Sequence, residues 1–283
     1  MASSETTTTT TRSQAPRAWF ESPLALIPTP GIRAPGTTNT NHSALMMAQE
    51  MSYAHNGMLR ALNSIWQQAP FIPSLADDPV AIPDFLRYIG FFTGWLDEHH
   101  HAEEEYFFPQ VERLTGVEGF MEELVTQHHS FTPGLEQLRE YAAETKPEVY
   151  DGRTVRAIVD AFAEPLRKHL VEEVQILLGL EKYDGPTGPN LKKIYAVVDA
   201  KMRSGSKDVL YPMVATSSDT TYEGGNDWPP APSFVWWMGN AMEMSKQVKF
   251  MGGLTRNNTP GRKQNKDGTP DSEMQDDLTI GPT

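Results

Sequence analysis

The chain has 283 residues, and its 37 acidic and 24 basic side chains give a net charge of −13. Such a charge repels phosphate backbones and anionic lipid, so we expect neither nucleic acid nor a membrane as a partner. The sequence has no cysteine, which excludes disulfides, thiolate zinc sites and iron–sulfur clusters and leaves only His, Asp and Glu to hold a metal. Without an apolar run of membrane-spanning length or a secretion signal, the sequence predicts a cytoplasmic protein.

Changes in composition divide the chain into four parts. Residues 1–41 are rich in Thr, Ser, Pro and Gly, so we expect them to be disordered or extended. Residues 42–183 have helical periodicity, and residues 184–250 form a weaker, partly helical extension predicted to pack on the helices. Residues 251–283 are predicted to be a disordered tail. Some apolar residues of the first part could form an extended strap against the folded part: Trp19, Phe20, Leu24, Leu26 and Ile27.

Four segments between residues 42 and 183 repeat apolar residues at spacings of three and four, as amphipathic helices do. Stretches that carry Pro, Gly and Asp separate these segments. Short connections place consecutive helices side by side in opposite directions, which buries all four apolar stripes in one core. We therefore predict an all-α fold: an antiparallel up-down four-helix bundle with an irregular N-terminal strap and a partly helical C-terminal extension.

Each predicted helix carries a histidine in register with its apolar stripe: His55, His99, His128 and His169. Two of these helices also carry a glutamate four residues after the histidine, Glu103 and Glu173. At 3.6 residues per turn, this spacing sets both side chains on one face, about 40° apart and ~6 Å apart along the axis. Imidazole and carboxylate together suit Fe, Mn, Zn or Cu, and carboxylates can bridge two metals. The pattern therefore predicts a two-metal centre inside the bundle.

A less specific interpretation exists for each of these residues taken alone. A single core histidine more often hydrogen-bonds a carbonyl than binds a metal, and the run HHHAEEE at residues 99–105 could be a solvated charged face. The metal hypothesis depends on the conjunction, because buried imidazoles and carboxylates cost desolvation unless they are paired. Four helices supply a histidine at one depth, and two of them add a glutamate.

The motifs HHHAEEEYFFP, QHH and HLVEEVQILL resemble those of the hemerythrin, or HHE cation-binding, family, and WFESPLALIPTP with YEGGNDWPPAP is similar to its stand-alone fungal members. The resemblance extends over residues 18–232. In that family each helix contributes a histidine, and the two glutamates bridge a pair of irons. The resemblance therefore implies two Fe ions, with Mn or Zn still open, held by six ligands: His55, His99, Glu103, His128, His169 and Glu173.

Thr132 departs from the pattern of the family's reversible oxygen carriers, which have a second histidine at that position of the third helix. Without this imidazole, the second iron is expected to be more open. His100 and His129 each stand one residue from a predicted ligand, a rotation of about 100° in an α-helix. We expect them to lie behind the ligands or to face solvent, although either could supply a fifth imidazole. Tyr53 and Glu104 are weaker candidates for positions behind the ligands.

The open coordination favours a di-iron oxidoreductase that activates dioxygen and oxidises a small organic, secondary-metabolite-like substrate. Trp228, Trp236 and Trp237 of the C-terminal extension could form a wall of the substrate pocket. One alternative is a non-enzymatic oxygen carrier, or a protein that senses or stores iron or nitric oxide. A zinc-binding structural bundle and a metal acting only as a Lewis acid are further alternatives.

Overall fold

The computed structural model describes residues 22–36, 39–204, 213–214, 216–219, 222–225 and 228. Within these residues the regular structure is helical, apart from one isolated bridge between Pro30 and Ala34. The all-α prediction is thereby confirmed. Several predicted features lie outside the described residues: Trp19, Phe20, Trp236, Trp237 and the tail 251–283. The boundaries of the four predicted parts stay predictions.

Six α-helices follow one another along the described chain: α1 (Ser43–Gln68), α2 (Ala81–Ala102), α3 (Phe108–Thr115), α4 (Glu122–Glu144), α5 (Gly152–Gly179) and α6 (Pro189–Ser204). Local chemistry sets their ends. The side chain of Asp151 accepts a hydrogen bond of 3.0 Å from the Arg153 N–H and so caps the start of α5. Gly116, with a φ of 67°, ends α3 in the left-handed conformation that glycine adopts without steric cost. Among the described residues, no helix is both long and apolar enough to cross a membrane.

A π-helical segment, Glu103–Phe107, joins α2 to α3. The N–H of Phe108, the residue after the segment, donates a hydrogen bond to the carbonyl of Glu103, five residues earlier. The next residue, Pro109, explains why the α-helical pattern fails here. Proline lacks an N–H, and its ring collides with the carbonyl four residues earlier in a regular α-helix. The wider π turn accommodates the proline, and such segments are frequent at functional sites. This one contains three acidic residues, two of which, Glu103 and Glu104, lie close to buried histidines.

The four long helices pack around one core, with α5 against α1 and α4, and α2 against α4 and α1. The contacts between α1 and α5 run in opposite directions along the two helices. On α1 and α5, His55 lies near Leu170, while Trp66 donates a hydrogen bond of 2.6 Å to Asp160. The core contains, among others, Leu59, Leu62, Phe85, Phe92, Phe131, Phe162 and Leu166. Helix α6 packs on α1 and α2.

Helix α4 continues through Pro133 and Gly134 to its end at Glu144. Gly134 permits a close approach of α5, since a Cβ at this position would lie only 2.7 Å from the Cβ of Phe162. This close packing lies just beyond His128 on α4 and before His169 on α5. It therefore holds the two helices together next to the cluster of buried histidines.

The predicted strap lies along α1, with Leu24, Leu26 and Ile27 buried. Two asparagines of α1, seven residues apart, bind its backbone. Asn63 accepts from the Leu24 N–H at 3.0 Å and donates to the Leu24 carbonyl at 2.9 Å, and Asn56 does the same for Ile27 at 2.7 and 2.9 Å. On α5, Arg167 donates a hydrogen bond to the carbonyl of Ala25 in the strap. The strap therefore connects the two helices that carry His55 and His169.

Candidate metal centre

All six predicted ligands are buried in the core and lie close together: His55, His99, Glu103, His128, His169 and Glu173. They come from α1, α2, the π segment, α4 and α5. A seventh residue, His100, is also buried in this cluster, although the sequence pattern placed it behind the ligands or in solvent. Buried groups of this kind are costly unless they pair with each other or with a metal.

The first candidate group consists of His55, His99, Glu103 and Glu173, each of which offers one ligand atom within 4.8 Å of the others. The Nε2 atom of His55 lies 3.3 Å from Nε2 of His99 and 3.2 Å from Oε2 of Glu173. The Nε2 atom of His99 lies 2.8 Å from Oε1 of Glu103. These atoms converge on one small volume, as the donors of a metal ion do.

The second candidate group consists of His100, Glu103, His128 and His169, again with one atom from each within 4.8 Å of the others. The Nε2 atoms of His128 and His169 are 3.1 Å apart, and the second oxygen of Glu103 lies 3.6 Å from Nε2 of His128. Glu103 belongs to both groups and presents a different oxygen to each. Glu173 belongs to the first group only.

Hydrogen bonds behind the cluster fix the orientation of two imidazoles. Nδ1 of His55 lies 2.8 Å from the carbonyl oxygen of Leu170, so Nδ1 carries a proton and donates it to that carbonyl. Nδ1 of His128 lies 2.5 Å from Oε1 of Glu104 and donates to this carboxylate. In the neutral imidazoles this leaves Nε2 as a bare acceptor directed into the cluster. Partners of this kind are typical of metal-binding histidines.

Burial changes the protonation of the cluster. It lowers the pKa of His99 and His128, and it lowers that of His100 and His169 well below the ordinary value, so these imidazoles are neutral near pH 7. Burial, together with nearby Glu173, raises the pKa of Glu103 well above its usual range. Burial also acts to raise the pKa of Glu173, but the electrostatic attraction of His55, His169 and His99 in their protonated forms outweighs it and lowers this pKa to about 2.

Several buried polar atoms of the cluster have no hydrogen-bond partner among the described residues. They include both oxygens of Glu103, both oxygens of Glu173, Nε2 of His100 and Nδ1 of His169. A buried acceptor without a donor costs about 1–3 kcal/mol, and more when the group is charged. A cation in the cluster would satisfy the lone pairs of both carboxylates together, and the mixture of nitrogen and carboxylate donors suits a transition metal. The residues present therefore fit one or two metal ions.

The remaining predicted outer residues lie elsewhere. His129 is exposed on α4, and the hydroxyl of Thr132 donates to the carbonyl of His128 at 2.7 Å. Tyr53 packs near Trp228, with ring centroids 6.2 Å apart, and its hydroxyl lies beside the carbonyl of Glu223. Tyr53 thus belongs to the contact between α1 and the C-terminal extension. Of the outer candidates, Glu104 and His100 are the two that contact the cluster.

A signal for His100 is present in the sequence. Glu103 follows His100 by three residues and His99 by four. In a helix, residues at these two spacings lie on the same face as the glutamate, one on either side of it. A carboxylate flanked in this way by two imidazoles can contact both. The sequence interpretation considered only the spacing of four, and so it paired Glu103 with His99 alone.

Comparison with known proteins identifies the family of this chain. The sequence model of the hemerythrin HHE cation binding domain matches residues 46–180, the region of the long helices, and the chain belongs to this family. A similar relative is the dimeric xanthone biosynthesis cluster protein R11 of Cryptosporiopsis sp. (strain 8999), which is 33% identical over 228 residues, 80% of this chain and 84% of the relative. No solved structure gives a significant match.

Proposed function

We propose that this protein holds two iron ions at the junction of α1, α2, α4 and α5 and uses them to activate dioxygen for the oxidation of a small organic molecule. The six residues predicted from sequence are the proposed ligands, and Glu103 is proposed to contact both ions. The observation that carries the proposal is the convergence of buried nitrogen and oxygen lone pairs, among them the Nε2 atoms of His128 and His169 at 3.1 Å.

Iron is proposed because its chemistry matches the donors and the family. Imidazole and carboxylate donors suit iron, manganese and zinc, but iron also supplies the electrons that dioxygen needs. Each of the two candidate groups has four residues, and Glu103 belongs to both. Four protein ligands would leave coordination positions on each iron ion for a small exogenous ligand. The apolar core around the cluster excludes bulk water and thereby protects a reactive site from side reactions.

The substrate class is proposed from the relative. Its name places that protein in a cluster for dimeric xanthone biosynthesis. A role for this chain in secondary metabolism would make an aromatic, polyketide-like compound the substrate, which would be oxidised while dioxygen is reduced.

Reversible oxygen carriage is a second candidate, and one observation favours it. The described cluster contains five buried imidazoles: His55, His99, His100, His128 and His169. The sequence predicted four imidazole ligands, because position 132 is a threonine, and this number argued against an oxygen carrier. With His100 inside the cluster, the number of imidazoles no longer separates a carrier from an oxygen-activating enzyme.

Anaerobic reconstitution with ferrous iron tests the proposal. We expect about two iron ions per chain, as in other four-helix carboxylate sites, and an optical spectrum that changes when oxygen is admitted. The His99→Ala variant should lose most of the iron. His101→Ala is the matched control, because His101 is the neighbouring histidine but is 72% exposed. The site assignment is wrong if His99→Ala binds iron as the unmodified protein does.

Oxygen cycling then separates the two functions. A carrier would give a stable oxygenated spectrum that reverses when oxygen is removed, with no net oxygen consumption. An oxygen-activating enzyme would consume oxygen in proportion to an added aromatic substrate and release an oxidised product. If no oxygen is consumed with any of a broad set of polyketide-like aromatics, the enzymatic proposal fails while metal binding stands.

A further inference from the structure

His100 occupies a position in the cluster that the sequence pattern does not assign to a ligand. It lies on α2 beside His99 and is only 7% exposed. Its ring centroid lies 4.3 Å from that of His128 and 5.2 Å from that of His169. Its Nε2 atom is buried and has no hydrogen-bond partner among the described residues. A buried imidazole nitrogen without a partner, next to two others, suggests a role beyond packing.

Thr132 cannot supply the donor that is missing from the third helix. Its hydroxyl donates to the carbonyl of His128 on the same helix, at 2.7 Å, and is therefore engaged away from the cluster. A hydroxyl is also a much weaker ligand for these metals than an imidazole. The second group would then have only His128, His169 and the shared Glu103. His100 is the residue that brings this group to four members.

We propose that His100 is a ligand of the second metal ion and replaces, from α2, the imidazole absent at position 132 of α4. The inference rests on the proposed two-metal function and adds a residue to it. Three residues of one helical turn, His99, His100 and Glu103, would then serve both ions. Glu103 lies between the two imidazoles on the helix face and would contact both metals, one through each oxygen.

The competing explanation is that His100 is a core aromatic that only packs. Its ring does lie 5.0 Å from that of Phe131, so a packing role would be met by any ring of similar size. Phenylalanine keeps the ring and removes both nitrogens. The His100→Phe substitution therefore separates the two explanations, and His101→Phe, on the exposed neighbour, is the matched control.

The experiment counts iron in the purified, anaerobically reconstituted full chain and records the Mössbauer spectrum of the ⁵⁷Fe-loaded protein. We expect about two ions in the unmodified protein and in His101→Phe, but about one in His100→Phe, with loss of one iron signal. Circular dichroism checks that each variant is folded. If His100→Phe fails to fold, His100→Gln, which is similar in size and polarity, is measured in its place and should also lose one ion.

The outcomes separate this inference from the function on which it rests. Two ions with unaltered iron signals in a folded His100 variant would overturn the ligand role of His100 and leave the six-ligand site intact. Failure of the unmodified protein to bind iron would overturn the proposed function itself. Loss of both ions in His100→Phe but not in His101→Phe would show that His100 supports the whole centre instead of one metal, and would also contradict the inference.

Discussion

Nδ1 of His128, on α4, lies 2.5 Å from Oε1 of Glu104, in the π-helical segment that follows α2. The imidazole is buried, whereas the Glu104 side chain is 39% exposed. This contact joins the buried centre to the surface. It also directs Nε2 of His128 toward His169, because the proton stays on the nitrogen that faces the carboxylate.

We predict that Glu104→Gln weakens metal binding by about 10–100-fold, as for other residues that orient a metal-binding histidine. The amide offers a weaker acceptor to Nδ1 and lowers the basicity of the imidazole. Competition with a chromogenic chelator measures the affinity. Glu105→Gln is the control, since Glu105 contacts only the exposed His101 among the described histidines. Equal affinities for the two variants would refute the orienting role of Glu104.

The two carboxylates of the cluster should differ in their importance. Glu103 belongs to both candidate groups and Glu173 to one. We therefore predict that Glu103→Gln removes both metal ions, whereas Glu173→Gln removes mainly the ion of the first group and leaves about one per chain. Metal analysis of each reconstituted variant provides the count. Identical losses in both variants would mean that Glu173 also contacts both ions.

Asn63 binds both the N–H and the carbonyl of Leu24, and these bonds are buried. We predict that Asn63→Ala lowers the free energy of unfolding by about 1–3 kcal/mol, because two backbone groups of the strap lose their partner. Chemical denaturation followed by circular dichroism measures this change. Gln67→Ala, which removes an exposed contact with Ser22, is the control and should cost less. A negligible effect of Asn63→Ala would show that the strap does not contribute to stability.

Gly152 begins α5 against the end of α1, where a Cβ would lie 1.9 Å from the carbonyl oxygen of Ala69. Backbone must move to admit a methyl group, so we predict that Gly152→Ala destabilises the fold by about 1–3 kcal/mol. Gly90→Ala is the control within α2, because nothing lies within 4 Å of its added Cβ. That variant should be more stable by about 0.5–1 kcal/mol. Thermal melting measures both changes, and the melting temperature should fall in Gly152→Ala and rise in Gly90→Ala.

The carboxylate of Asp184 accepts four hydrogen bonds, each at 2.8–2.9 Å. Three come from the first turn of α6, from the N–H groups of Asn190 and Leu191 and the Asn190 side chain, and cap the helix; the fourth comes from the N–H of Gly185. Although partial burial acts to raise the pKa of Asp184, these bonds outweigh it and lower the pKa below the ordinary value of 3.8. A lowered pKa in the folded state means that the carboxylate stabilises the fold above the unfolded pKa. This contribution is lost as the pH falls through the folded pKa.

We therefore predict that Asp184→Ala costs about 1 kcal/mol at pH 7, as loss of a helix cap does, and that its difference from the unmodified protein shrinks as the pH falls below about 3.8. Urea denaturation at several pH values measures the difference. Glu118→Gln, at an exposed position, is the control and should show little change at any pH. A pH-independent cost of Asp184→Ala would contradict the role of the ionised carboxylate.

The helices and most of the cluster could be predicted from the sequence because their causes are local. Apolar residues at spacings of three and four predict helices, and a histidine followed four residues later by a glutamate places both on one helix face. His99 with Glu103 and His169 with Glu173 follow this rule, and the structure brings all four into one cluster. The strap has no such signal, since extended segments are not periodic. Its buried contacts with Asn56 and Asn63 became evident only in the structure.

By itself, then, the sequence determined which residue types could hold a metal and that they share the core faces of four helices. The spacing of three residues from His100 to Glu103 is a local signal that His129 lacks, but only the tertiary structure placed His100 in the cluster and left His129 exposed. Each stands one residue after a predicted ligand, so the helical period turns both by about 100°. The side of α2 that bears His100 packs against α4, where the rings of His128 and Phe131 cover it. His129 is exposed on α4. Which neighbour a helix face meets depends on the packing of the whole bundle, and no local spacing encodes it.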